Sequence, residues 1–125
     1  GGPMTIITLR SGTTGRWNAA SATLQATVAA ADHPLATQHA QDAERMLLFN
    51  GRPTTAWANL LAAIAVIAER RADTAPTIQR RIAYLDLVAA AADLLVLART
   101  IHGTRPDGAA LEALADTGLR SAALV

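Results

Sequence analysis

Along residues 4–10 the side chains alternate. In MTIITLR, Thr5, Ile7 and Leu9 fall on one side of an extended chain, Ile6 and Thr8 on the other. That period of two predicts a short β-strand. Ser11-Gly12-Thr13-Thr14-Gly15 then reads as a turn-forming linker. From Arg16 the period lengthens to that of a helix. Trp17, Leu24, Val28 and Ala31 share one stripe, with Ala20 and Thr27 beside it, which predicts a helix over 16–31. It stops at Asp32-His33-Pro34, because the residue before a proline avoids the α region.

A second helix over 34–49 begins on Pro34, whose missing N–H costs little in a first turn. Ala36, Ala40, Ala43 and Leu47, with Leu35, His39 and Met46, give it a broad inward face, and Asn50-Gly51 is its stop. The third helix is capped by Thr54 or Thr55 and runs to about Ala72. Trp57, Leu60, Leu61, Ile64, Ile67 and Ala68 recur at helical spacing, while Val66 lies off that stripe. Most of its remaining positions are alanine, so burial on two sides is expected.

The fourth helix is the longest, over about 75–102, with Thr74 as N-cap, Pro76 in its first turn and Gly103 at its end. It carries two apolar faces. Ile78, Ile82, Leu85, Ala89, Ala92 and Val96 form a seam of heptad type. Tyr84, Leu87, Val88, Leu94, Leu95 and Ile101, with Ala91 and Ala98, form the other. At 1.5 Å per residue the helix spans about 40 Å, more than its shorter neighbours cover, so part of it is expected to serve a partner subunit. Asp107 then caps a short fifth helix over about 108–117, with Leu111, Leu114 and Ala115, and residues 119–125 form an apolar tail.

These elements predict an all-α protein: an up-down four-helix bundle over 16–125, with an N-terminal extended arm over 1–15 and a short C-terminal fifth helix. Gly1-Gly2-Pro3 reads as a cloning remnant ahead of a native Met4. About a quarter of the 125 residues are alanine and only 3% are aromatic. Such a composition favours helices that approach closely through small side chains. No charged and apolar leader follows Met4, and the longest nearly apolar run, 56–68, is shorter than the ~20 residues a bilayer requires. The expectation is a soluble cytoplasmic protein without a membrane partner.

The net charge of +1 supplies no general field for nucleic acid. All eleven basic residues are arginine, and there is no cysteine, which removes disulfides, thiolate nucleophiles and cysteine-based zinc sites. Folding the chain as a bundle gathers Arg70, Arg71, Arg80 and Arg81 at one end, a candidate contact for an anion or an acidic partner. Arg16, Arg52, Arg99 and Arg105 gather at the other. Asp86 and Asp93 share a face of the fourth helix, and Asp93 lies within AAAADLLVLA, where burial would raise the prospect of acid–base chemistry. His39 and Asp42 stand three apart, as in some metal-binding helices, but the chain holds only three glutamates and no Glu-x-x-His. Neither a metal nor a cofactor is expected. His102 suits a helix C-terminus through the macrodipole. Trp17, Trp57 and Tyr84, with Asp93, are the candidate lining of a small-ligand pocket, and Phe49 is expected in the core.

The reading that joins these features is a non-enzymatic interaction or assembly module, a homo-oligomer and most simply a dimer. A lone strand leaves its backbone groups unpaired, so Ile6, Ile7 and Leu9 are expected to pair with the same strand of a second copy. Leu87, Leu94 and Leu95 are the expected helical part of that interface. Two alternatives stand beside it. One is a regulatory protein that binds nucleic acid or an acidic protein through its arginines. The other is a helical ligand binder or enzyme using Asp86, Asp93 and His39.

Overall fold

The computed structural model describes residues 3–108, with side chains from residue 12 onward. The described part is helical: α1 spans Pro3–Ala31, α2 Pro34–Asn50, α3 Thr55–Asp73 and α4 Ile78–His102. The fifth helix and the apolar tail, apart from Gly108, lie outside the described residues.

The N-terminus departs from expectation. Met4–Arg10 is not a strand, and Ser11–Gly15 is not a linker; both lie within α1. The physical reason is backbone accounting. A strand needs a neighbour to accept its N–H and C=O groups, whereas a helix satisfies them within itself. The propensity cost of β-branched residues in a helix is only a few tenths of a kcal/mol each, and ~1 kcal/mol for each glycine. Ile6, Ile7 and Leu9 therefore belong to a helix; their side chains lie outside the described residues.

The other boundaries follow local chemistry. Asp32 takes the left-handed conformation (φ 51°) that ends α1. His33 caps α2, its Nδ1 accepting from the Ala36 N–H at 3.3 Å, and Pro34 fills the first turn. Gly51 at φ 72° and Gly103 at φ 69° close α2 and α4, where a side chain would be strained. Thr54 caps α3 through the Trp57 N–H. One cap moves: Thr74 ends α3 instead of starting α4, and the cap of α4 is Thr77, whose hydroxyl accepts from the Arg80 N–H at 3.1 Å. Pro76 restrains Ala75 toward extended backbone and so delays the helix.

The ends that meet fix the directions. Trp17 of α1 stacks on Trp57 at the start of α3 and meets His102 at the end of α4. Arg80 at the start of α4 meets the last carbonyls of α1. Beyond α4, the Thr104 hydroxyl donates to the Pro53 carbonyl, and Asp107 and Asn59 bond reciprocally. Successive helices thus alternate in direction. α4 lies between α1 and α3, and α3 between α4 and α2, while α1 and α2 touch only a little.

The core is built mainly of alanine. Ala58, Ala62, Ala65, Ala68 and Ala72 of α3 are buried, as are Ala90, Ala91 and Ala98 of α4. Leu61, Ile64 and Leu87 are the bulkiest fully enclosed side chains. Small residues let α3 and α4 approach closely, and few large ones are needed to fill the space between them. On α2, Ala36, Ala40 and Ala43 face inward as the periodicity requires. Phe49, at 90% exposure, and Leu48 lie outside the core. They follow Leu47 on the last turn of α2, and the helical period turns them outward.

The cap at His33 carries a pH dependence. Desolvation, and secondarily the charge of Arg71, hold the imidazole below its ordinary pKa of 6.5. The folded chain therefore favours the neutral form, which is the form that can accept from Ala36. Stability from this group is fully present above pH 6.5 and is lost as the pH falls from there through the lower folded-state value. His33→Asn keeps a capping acceptor without a titrating group. Its advantage over wild type in urea midpoint is expected to widen between ~pH 7 and ~pH 5; a constant difference would show that His33 is indifferent to protonation.

Candidate functional site

The tertiary structure divides the proposed aromatic pocket. Trp17 and Trp57 come together at one end of the bundle, ring centroids 5.8 Å apart and planes inclined by 30°. His102 adds an edge-on contact to Trp17 at 5.8 Å. Tyr84 lies near the other end, against Arg80. Asp93 is exposed, as is Asp86. The buried carboxylate considered for acid–base work is thus corrected: the alanines around Asp93 face the core while its own position, one residue past Ala92, faces water. His39 and Asp42 are not brought together as a bonded pair. Asp42 instead accepts from Gln38 at 2.9 Å and pairs with Arg45. Among the described residues no group of three metal-ligating side chains forms.

Around the tryptophans the bundle is hollowed. A cavity of about 360 Å³ is lined by Thr13, Thr14, Trp17, Leu47, Pro53 and Ile101, with Gly51, Arg52 and His102 at its edge. Beyond Trp17 and Leu47 a second hollow of about 300 Å³ runs between α1 and α2, over Leu24, Ala40, Ala43, Trp57 and Leu94. It exists because α1 and α2 share a tight turn but little surface. On the other side, Arg52 and His102 also border a polar cleft of about 600 Å³ with Thr54, Thr55, Arg105 and Asp107. Spacing alone did not reveal this site. Trp17 and Trp57 were legible as bulky, but Arg52, Pro53, Ile101 and His102 meet only through the fold.

The arginine end is also rearranged. Arg80 is not a free cation. Its guanidinium donates to the Ala30 carbonyl at 3.1 Å, to the Ala31 carbonyl, and to the Tyr84 hydroxyl at 3.1 Å, and lies 5.0 Å from the Tyr84 ring centre. It closes the C-terminus of α1, where a cation is favoured by the helix dipole. Arg70, Arg71 and Arg81 remain exposed.

Finally, the two apolar faces of α4 have different fates. Leu87, Leu94 and Leu95, expected at a subunit interface, are buried in the chain's own core. The first part of the seam on the other side is left outward, with Ile78 at 74% exposure, Ile82 at 52% and Leu85 at 44%, whereas Ala92 is buried and Val96 half-buried. Among the described residues no helix is long and apolar enough to cross a membrane. Comparison with protein-family models, with curated proteins and with solved structures returns no match for this chain.

Proposed function

We propose that this chain is a non-enzymatic helical interaction module that assembles with a second copy of itself through the outward seam of α4. The observation that supports this reading is the adjacent exposure of Ile78, Ile82 and Leu85. Three large aliphatic side chains standing together in water are an association surface, whereas single ones are ordinary. Their spacing is that of a coiled-coil seam and continues through Ala89, Ala92 and Val96.

The seam is graded, bulky in its first half and small in its second. A parallel pairing would crowd the isoleucines together and leave the alanines apart. An antiparallel pairing about a two-fold axis near Leu87 sets Leu85 opposite the exposed Ala89 and lays the isoleucines over the small-residue half of the helix, where Ala92 is buried and Val96 half-buried. The two Asp86 carboxylates come beside that axis. Salt screens them, so association is expected to strengthen with ionic strength, opposite to the response of a nucleic-acid contact.

Light scattering across a dilution series tests the reading. Wild type is expected to be a dimer. Ile82→Arg, which places a charge in the seam, is expected to weaken the dimer on the order of a hundredfold. It should leave the fold intact, because Ile82 is exposed in the single chain. A monomer at every concentration would sink the proposal, and an Ile82→Arg dimer would move the interface elsewhere.

A further inference from the structure

We infer that the cavity beside Trp17 binds a small amphipathic monocarboxylate, its apolar body against the tryptophan and its carboxylate between Arg52 and His102. This site is separate from the α4 seam and does not depend on it.

Three observations converge. First, the walls are mainly apolar, with Trp17, Leu47, Pro53 and Ile101 among the lining side chains. Second, the ionisable groups at the edge, Arg52 and His102, are both basic. Third, those same two residues border the polar cleft on the far side. The site therefore changes from apolar to polar along one direction, and its two basic side chains stand at the transition. An amphipathic acid has the matching order. Its tail leaves water for the cavity, and its head remains half-solvated beside the Arg52 guanidinium and the His102 imidazole. A purely apolar ligand would leave the cationic edge unused. A compact inorganic anion would leave the apolar walls unused.

Size sets the class further. At ~30 Å³ for a water-sized group, a cavity of about 360 Å³ holds on the order of ten such groups. That suits a medium-chain fatty acid or an aryl-alkanoic acid. It is near the small end of the range found for ligand pockets. The guanidinium of Arg52 offers a planar fork suited to both oxygens of a carboxylate. Nearby, the carboxylate of Asp107 is held by the Asn59 amide at 2.9 Å.

The chain carries its own reporter, because its two tryptophans are the two at this site. Decanoate, which does not absorb where tryptophan emits, is titrated into the full-length protein below its micellar concentration, with decanol in parallel. Saturable change in tryptophan emission is expected with decanoate, about tenfold tighter than with decanol. Arg52→Gln should remove that tenfold preference and leave decanol binding as it was. Thr13→Phe, which fills the cavity from its solvent side, should abolish binding of both. Equal affinity for acid and alcohol, or an Arg52→Gln protein that still prefers the acid, would overturn the carboxylate assignment. Absence of saturable binding, including occupation of the cavity by the chain's own C-terminal residues, would overturn the site. Circular dichroism of both variants checks that the helices persist.

Discussion

Leu87→Ala is expected to cost about 2–5 kcal/mol of folding stability while leaving the affinity of the proposed dimer unchanged. Leu87 is fully buried, one of the three bulkiest enclosed side chains. Many of the buried side chains of α3 and α4 are alanine. Alanine has no rotamers with which to close over a hole, so the cavity left by truncation relaxes poorly and the cost falls toward the upper part of that range. Ile82→Arg is expected to show the opposite signature, lost association with little lost stability. The two variants sit five residues apart on one helix and test which of its faces is core. Urea unfolding and light scattering on both give the answer. A Leu87→Ala protein as stable as wild type would mean that α4 is rotated about its axis from the arrangement described. So would an Ile82→Arg protein that unfolds.

Arg80→Met is expected to be the second large loss, about 2 kcal/mol. Methionine keeps much of the aliphatic stem and removes the charge and all donors. The last carbonyls of a helix need partners, and here a guanidinium supplies them for Ala30 and Ala31. Hydrogen bonds from a charged group contribute ~1.5–3 kcal/mol each, reduced here because the site is partly open to water. Arg80→Lys keeps the charge at the helix end but not the fork, and should recover about half of the loss. Thermal unfolding measures the total, at roughly 3–6 °C per kcal/mol for a chain of this size. Amide exchange localises it. Protection of the Asp32 N–H, which donates to the Val28 carbonyl at 3.2 Å, should fall in Arg80→Met more than protection in α3. A loss within ~0.5 kcal/mol would mean that Arg80 behaves as an ordinary surface charge, and the four-arginine contact surface would again be the better description.

Much of the helical architecture was legible because it depends on short-range rules. Pro34 and Gly51 bound α2, Thr54 begins α3, and Gly103 ends α4, each through a backbone preference that a few neighbours settle. The inward stripes of α1 and α3 were equally visible, since Leu24, Val28, Leu61 and Ile64 recur at the helical period and are buried. The N-terminus misled because alternation over seven residues satisfies a strand template without showing that any partner strand exists. Backbone pairing is a property of the surroundings, and α1 resolved it by pairing internally.

The candidate site was less legible, for a related reason. Periodicity identifies apolar faces but gives no sign of what covers them. α4 has two, and nothing within Ile78–His102 says that Leu87 turns inward and Ile82 outward; only the placement of α1 and α3 beside it decides that. Charge follows the same logic. Arg80 and Arg81 are neighbours of identical chemistry, yet one closes α1 and the other stays exposed, because a single step along a helix turns a side chain by ~100°.

The sequence by itself thus determined the four main helices, most of their ends, and the alanine-rich character of the core. These are consequences of propensity, capping and period, which act within a few residues. Tertiary structure alone decided which face of α4 remains outward, which arginine is spent on a helix end, and that Trp17, Arg52, Pro53 and His102 surround one cavity. Those outcomes depend on contacts between residues far apart in the chain, and such contacts exist only once the helices have packed.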